Sequence, residues 1–131
     1  MKIITLIIVL ALQLIGSPYI YGMTGPEAFD CSGFTYYCYM EAANIELPRT
    51  AYDQGYCDEY LKIETIEELE TGDLVFFNTN NDKDRCDHVG IYLGGDKFIH
   101  ASSAGEEVMI TSFEGTYYEG AFSWGRRIIE D

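Results

Sequence analysis

Histidine is nearly absent from this chain: His88 and His100 are the only two among 131 residues, so any imidazole chemistry rests on one or both. Basic residues are scarce as well. Eight Lys and Arg against 22 Asp and Glu leave a formal net charge of −14, and so acidic a surface cannot neutralise phosphates, which excludes nucleic acid as a partner. Three prolines and 13 glycines are too few for a collagenous or low-complexity chain. No C-x-x-C pair occurs among Cys31, Cys38, Cys57 and Cys86, so a zinc ribbon or thioredoxin-like motif has no local support. The apolar run that starts at Ile3 meets Gly16 and Pro18 short of the roughly 20 residues that cross a bilayer, so no stable membrane span is expected.

What the chain does contain is apolar and aromatic. A hydrophobic fraction of 47%, with 15% aromatic and 23% charged residues, suits one folded domain with a real core and excludes intrinsic disorder. Seven acidic residues fall between Asp58 and Asp73 and read as a solvated face. Eleven tyrosines supply amphipathic rings for the margins of a small core, or a stacking surface near a binding site. Residues 1–16 leave two readings open. Lys2 followed by an apolar run, with no further charge until Glu27, resembles a secretory signal, and the same residues also suit a first domain helix.

Glycine and proline in 16–18 and 22–26 mark loops. Cys31–Ala43 fits a helix with an apolar stripe through 31, 34, 38 and 42, its first turn served by Asp30 or Ser32. Thr50 and Asp53 resemble a capping box opening a short helix. From Gly72 the pattern turns to strands: 73–77, 88–93, 97–101, near 108–110, and 125–129. Helices first and a strand meander second make an α+β plan.

Cys31 stands at the positive end of its helix, which biases a thiol toward the nucleophilic thiolate, and an adjacent imidazole adds to that bias. His88 supplies such an imidazole, and His100 on the neighbouring strand can orient it from behind. The two histidines share a face only if the hairpin around Gly94 and Gly95 encloses an odd number of residues between paired positions. Taken singly, Cys31 also fits a small buried residue, and each histidine a structural one.

Six blocks occur in order. They are Gly16-Ser17-Pro18-Tyr19-Ile20-Tyr21-Gly22, Phe29-Asp30-Cys31-Ser32-Gly33-Phe34, Leu47-Pro48-Arg49-Thr50, Gly72-Asp73-Leu74-Val75-Phe76-Phe77, Asp87-His88-Val89-Gly90-Ile91-Tyr92-Leu93-Gly94 and Phe98-Ile99-His100-Ala101. Together they resemble the NlpC-type peptidoglycan cysteine peptidases, the cell-wall DL-endopeptidases, with one such domain over 11–131. The resemblance implies a papain-like, circularly permuted α+β fold in which helices pack on an antiparallel β-sheet. It implies Cys31 as nucleophile, His88 as general base and His100 as the group that orients it. It further implies hydrolysis of the D-γ-glutamyl to diamino acid amide in peptidoglycan stem peptides, through an acyl-enzyme, with neither metal nor organic cofactor. Tyr19, Asp30, Ser32 and Arg49 match positions near the family's cleft, where a carboxylate can meet the free amine of a stem peptide. An exported protein of the cell envelope or exterior, acting as a monomer, is expected.

Alternatives of other classes stay open: an amidase or acyltransferase built on the same thiol, or an inactive module that binds wall peptides. The chain departs from the family pattern at Gly22-Met23, where relatives commonly pair two glycines, and at Tyr21, where tryptophan is frequent. There is no room for an SH3-like or LysM-like module, so wall targeting must come from elsewhere or from a larger protein. Cys38 reads as buried filler. Cys57 and Cys86 can form a disulfide in an oxidising exterior, whereas a zinc site using Cys31, Cys86 and His88 would consume the nucleophile.

Overall fold

The structure is a computed structural model that describes residues 2–80 and 85–130. Four helices, α1 (Ile3–Gln13), α2 (Cys31–Ala43), α3 (Ala51–Gly55) and α4 (Tyr117–Ala121), accompany six strands: β1 (Leu61–Ile63), β2 (Leu74–Phe77), β3 (His88–Gly94), β4 (Lys97–Ser102), β5 (Glu107–Ser112) and β6 (Phe122–Arg127). The strands form one sheet in the order β1-β6-β2-β3-β4-β5, with every pairing antiparallel. This is the expected α+β, papain-like arrangement of helices on an antiparallel sheet.

The sheet is covered on both faces, which explains why β2 is an unbroken apolar run, Leu-Val-Phe-Phe, buried throughout. Alternation sorts its side chains: Leu74 and Phe76 join the larger core with Phe34, Cys38 and Tyr39 of α2, and Val75 and Phe77 join a second cluster with Phe98 and Phe113, against which Tyr118 and Ala121 of α4 pack. Each fully buried Phe or Leu of these layers stabilises the fold by about 1.5–3 kcal/mol relative to exposure. Helix α1 docks through Ile7 and Ala11, both fully buried, and leaves Ile3, Leu6, Val9 and Leu12 each more than 40% exposed. Among the described residues no helix is long and apolar enough to cross a membrane.

Two elements were not expected from the sequence. Strand β1 has three residues inside the acidic stretch, and α4 is one turn, capped by the Thr116 side chain accepting from the Tyr118 amide; neither is long enough to display a period. The acidic stretch is mostly solvated, with one exception. Asp73 is 2% exposed and accepts from Arg127 Nε and Nη2 at 2.9 Å each and from the Glu70 amide at 2.8 Å. Strand β6 is fastened to α3 where Trp124 Nε1 and Arg126 Nε both donate to the Gly55 carbonyl at 2.9 Å. All four cysteines are free thiols. The disulfide that the sequence allows between Cys57 and Cys86 is not formed: Cys86 is buried against Gly55 and hydrogen-bonds with Ser123.

Candidate active site

The amino end of α2 is set by Asp30, whose carboxylate caps the helix by accepting from the Gly33 amide at 2.7 Å. Gly33 is required there by space. A Cβ at that position would land on the Met23 carbonyl oxygen, which also accepts from the Asp30 amide at 2.9 Å. Close approach of α2 to the 22–24 loop thus aims Cys31 outward. Gln54 of α3, 1% exposed, holds the same helix end: its Nε2 donates to the carbonyls of Ser32 at 3.2 Å and Pro48 at 2.8 Å, and its Oε1 accepts from Thr35 at 2.8 Å.

The histidines are brought to one face by a bulge. Tyr92 pairs with Phe98, but the next pair is Gly94 with Lys97, and the register shift falls between them. Five residues, 93–97, therefore separate the Tyr92–Phe98 pair, the odd number that the shared face requires. The imidazoles lie diagonally rather than directly opposite, because Ile91 pairs with Ile99 and that register sets Gly90 across from His100. Gly90 leaves the room: a Cβ there would sit 3.1 Å from His100 Cβ and 2.9 Å from the Ile99 carbonyl oxygen. His88 Nε2 lies 2.7 Å from His100 Nδ1, and His100 Nε2 lies 2.9 Å from Thr111 Oγ1 on β5.

This face is the one packed by the second cluster, beside Phe77, Phe98 and Tyr118, and not the face that α2 covers. At its rim Cys31 and His88 both line a cavity of about 350 Å³ together with Tyr19, Asp87, Tyr117 and Tyr118. A second cavity of about 500 Å³, which Cys31 also lines, is bounded by Tyr19, Tyr21, Asp30, Ser32, Arg49 and Thr50. Arg49 donates to Asp30 Oδ1 at 3.2 Å, Asp30 Oδ2 at 2.8 Å and Ser32 Oγ at 2.9 Å. All seven residues singled out in the sequence therefore lie in or directly behind one cleft. Thr111, Gln54 and Asp87 were missed. The first two are ordinary polar residues in ordinary contexts and carry no motif, whereas Asp87 was visible as the neighbour of His88.

The electrostatics differ from the expectation of a ready thiolate. Burial, with a further contribution from Asp30, pushes the Cys31 thiol up to about 11, although the backbone amides of Val89 and Ser32 pull the other way. Burial lowers His88 to about 4 against an upward pull from Asp87, and lowers His100 to about 3 with a smaller downward push from His88. At neutral pH the resting pair is a thiol and a neutral imidazole, and the thiol faces the Asp87 carbonyl oxygen at 3.9 Å. Among the described residues no group of three or more His, Cys, Asp or Glu side chains is placed to hold a metal ion.

The chain is similar to proteins of known sequence and structure. The NlpC/P60 family model matches residues 16–127. The chain is 40% identical over 119 residues to murein DD-endopeptidase MepH of Escherichia coli (strain K12), covering 90% of this chain and 43% of that protein. It is 32% identical over 117 residues to gamma-D-glutamyl-L-lysine dipeptidyl-peptidase of Bacillus subtilis (strain 168), covering 89% and 38%. The chain thus spans less than half the length of either relative. In solved structures it resembles NlpC1 from Trichomonas vaginalis at a TM-score of 0.85 and 33% identity, over 95% of this chain and 44% of that one. Sequence blocks, sheet order and likeness to known proteins agree: the chain belongs to the NlpC/P60 family.

Proposed function

We propose that this protein is a cysteine peptidase of the bacterial cell wall that hydrolyses the D-γ-glutamyl to diamino acid amide of peptidoglycan stem peptides, acting in the envelope or outside the cell. The observation that carries the reading is the linked pair of imidazoles, His88 to His100 to Thr111, with His88 lining the same cavity as the Cys31 thiol and that thiol lining a second cavity with Asp30 and Arg49. One tautomer set leaves His88 Nδ1 as the base. His88 Nε2–H then donates to His100 Nδ1, and His100 Nε2–H donates to Thr111 Oγ1. Cys31 Sγ attacks the scissile carbonyl carbon as its proton passes to His88, so ionisation accompanies bond formation rather than preceding it. The Gly33 amide is taken by the Asp30 cap, so the positive end of α2 and its remaining first-turn amides are what meet the negative charge that develops on the carbonyl oxygen. The C–N bond breaks as His88 returns the proton to the leaving amine, and a water activated by the same imidazole then hydrolyses the thioester. The names of the two relatives, one a murein endopeptidase and one a γ-D-glutamyl peptidase, support peptidoglycan as the substrate.

A second reading keeps the mechanism and moves the bond to the D-alanyl to diamino acid cross-link, favoured by the 40% identity to a protein named a DD-endopeptidase. Both reactions acylate the thiol with a D-residue and release a diamino acid amine. Incubation of wild type and Cys31→Ala with stem tetrapeptides and with cross-linked stem dimers, read by mass, separates them. Fragments ending in D-glutamate that are lost in the variant support the proposal. Conversion of the cross-linked dimer into intact monomer stems, with the tetrapeptide left uncut, moves the activity to the cross-link, and turnover retained by Cys31→Ala removes the thiol mechanism.

A further inference from the structure

Exposed apolar side chains are ordinary where they are scattered singly, but in this molecule they are gathered. Eight of the thirteen large apolar residues that stand exposed among the described residues lie between Ile3 and Met23, and α1 carries four of them. With about 100° of turn per residue, Ile4, Ile7, Ile8 and Ala11 share the side that docks: Ile7 and Ala11 are fully buried, Ile8 packs on the same core, and Ile4 lies against Gly72. The opposite side presents Ile3, Thr5, Leu6, Val9, Leu12 and Gln13 to solvent. A groove of about 350 Å³ runs beside it, lined by Leu6, Val9 and Leu10 and, from α2, by Tyr37, Glu41 and Ala42. A helix at the boundary with water ordinarily turns charged residues outward. This one turns out four aliphatic side chains and two uncharged polar ones.

Charge and area select what covers this side. The protein has 22 Asp and Glu, yet no charged residue occurs between Lys2 and Glu27. The uncharged surface is bounded at both ends of the helix. Lys2 shares a cavity with Glu70 and Glu130; beyond Gln13, the Gly16 and Tyr19 amides donate to the Val108 and Glu106 carbonyls at 2.9 and 3.0 Å, which brings the exposed Glu106 and Glu107 alongside. The free side of this 11-residue helix, about 16 Å long and about 10 Å across, measures on the order of 200 Å². A stable protein pair needs roughly 800 Å² from each partner, and pairing two copies would set two net charges of −14 against each other. A lipid surface has neither requirement. It takes up apolar side chains without shape complementarity, to a depth of about 5–10 Å. The polar side that an interfacial helix keeps in water is replaced here by the domain to which α1 is docked.

We infer that α1 lies flat on a lipid bilayer, with Ile3, Leu6, Val9 and Leu12 immersed among the headgroups, and holds the domain reversibly on a membrane surface that it does not cross. The inference goes beyond the peptidase reading and uses no step of catalysis. The acidic remainder of the protein sets which bilayer is taken. A zwitterionic surface leaves the apolar attraction unopposed, whereas an anionic one repels the body of the protein within a Debye length of the headgroups.

The test is flotation of the full chain with phosphatidylcholine vesicles, and with vesicles in which about one-third of the lipid is phosphatidylglycerol. Wild type is expected to float with the neutral vesicles. The anionic lipid is expected to weaken binding about tenfold at low salt, and high salt to restore it. Leu6→Gln combined with Val9→Gln is expected to reduce partition into neutral vesicles about tenfold, with an unchanged thermal midpoint because neither side chain belongs to the core. Should that variant unfold, Thr5→Glu asks the same question: a carboxylate near the amino end of a helix suits the fold, and on the immersed side it is expected to abolish flotation. Failure of wild type to float with neutral vesicles overturns the inference, as does binding that these substitutions leave unmoved. A preference for anionic vesicles at low salt overturns it too, because contact would then fall on a basic face. Dimers in sedimentation that the double variant splits would assign the side to a second copy instead.

Discussion

A half-buried thiol held up to about 11, sharing a cavity with an imidazole held down to about 4, stores its proton on sulfur until substrate arrives. Iodoacetamide reacts with the thiolate, so alkylation of Cys31 is expected to rise with pH through and beyond the ordinary thiol range near 9; half-maximal rates below neutrality would instead reveal a preformed ion pair. At the back of the site, the Thr111 hydroxyl lies 2.9 Å from His100 Nε2 and can accept a hydrogen bond from it, in the tautomer that leaves His100 Nδ1 to accept from His88. Thr111→Val removes that partner at nearly constant volume and is expected to lower kcat about tenfold with KM little changed, while Thr111→Ser, which keeps the hydroxyl, restores activity. Equal losses in the two variants would make the contact one of packing alone. At this scale the sequence was informative where chemistry needs a rare residue type, as with Cys31, His88 and His100. It was silent on Thr111 and Gln54, whose importance arises only from strands and helices distant in the chain.

Among the elements, the β3–β4 hairpin shows what local reading can and cannot reach. The spacing of His88 and His100 demanded an odd loop, but the structure meets the demand with a two-residue turn plus a bulge at Leu93, and turn length alone does not disclose a bulge. The first helix was ambiguous for a different reason. Its residues are apolar on every side, so no period distinguishes an exported leader from a docked element. The structure docks it through Ile7, fully buried, and Ile7→Ala is expected to destabilise the domain by about 2–4 kcal/mol. Denaturant unfolding checks this, and an unchanged midpoint would detach α1 from the folded unit. Short elements such as β1 and α4 escape periodicity because they are fixed by what they pack against.

Across the whole molecule, stability should carry the signature of the two neutral histidines. In the unfolded chain they take up protons near 6.5, whereas in the folded one they do so only near 4 and 3. The unfolded state therefore binds more protons in between, and stability falls as pH drops below about 6.5. Between about pH 6.5 and 5 few other side chains of ordinary pKa titrate, so a thermal midpoint that does not decline over that interval in wild type would contradict the buried neutral pair. The general architecture was readable because helical and strand patterns are segregated along the chain, but the order of strands was not, since pairing partners are chosen by the completed fold.

That order has a consequence for synthesis. Strand β6, last in the chain, fills the slot between β1 and β2, and its Trp124 and Arg126 supply the donors at the Gly55 carbonyl of α3. While the nascent chain is still tethered, β2 to β5 can zip together as each strand emerges. The platform that steadies α3, and through Gln54 the end of α2 carrying Cys31, must wait until residues 122–127 have cleared the exit channel. The nucleophile is thus made well before the strand that seats it.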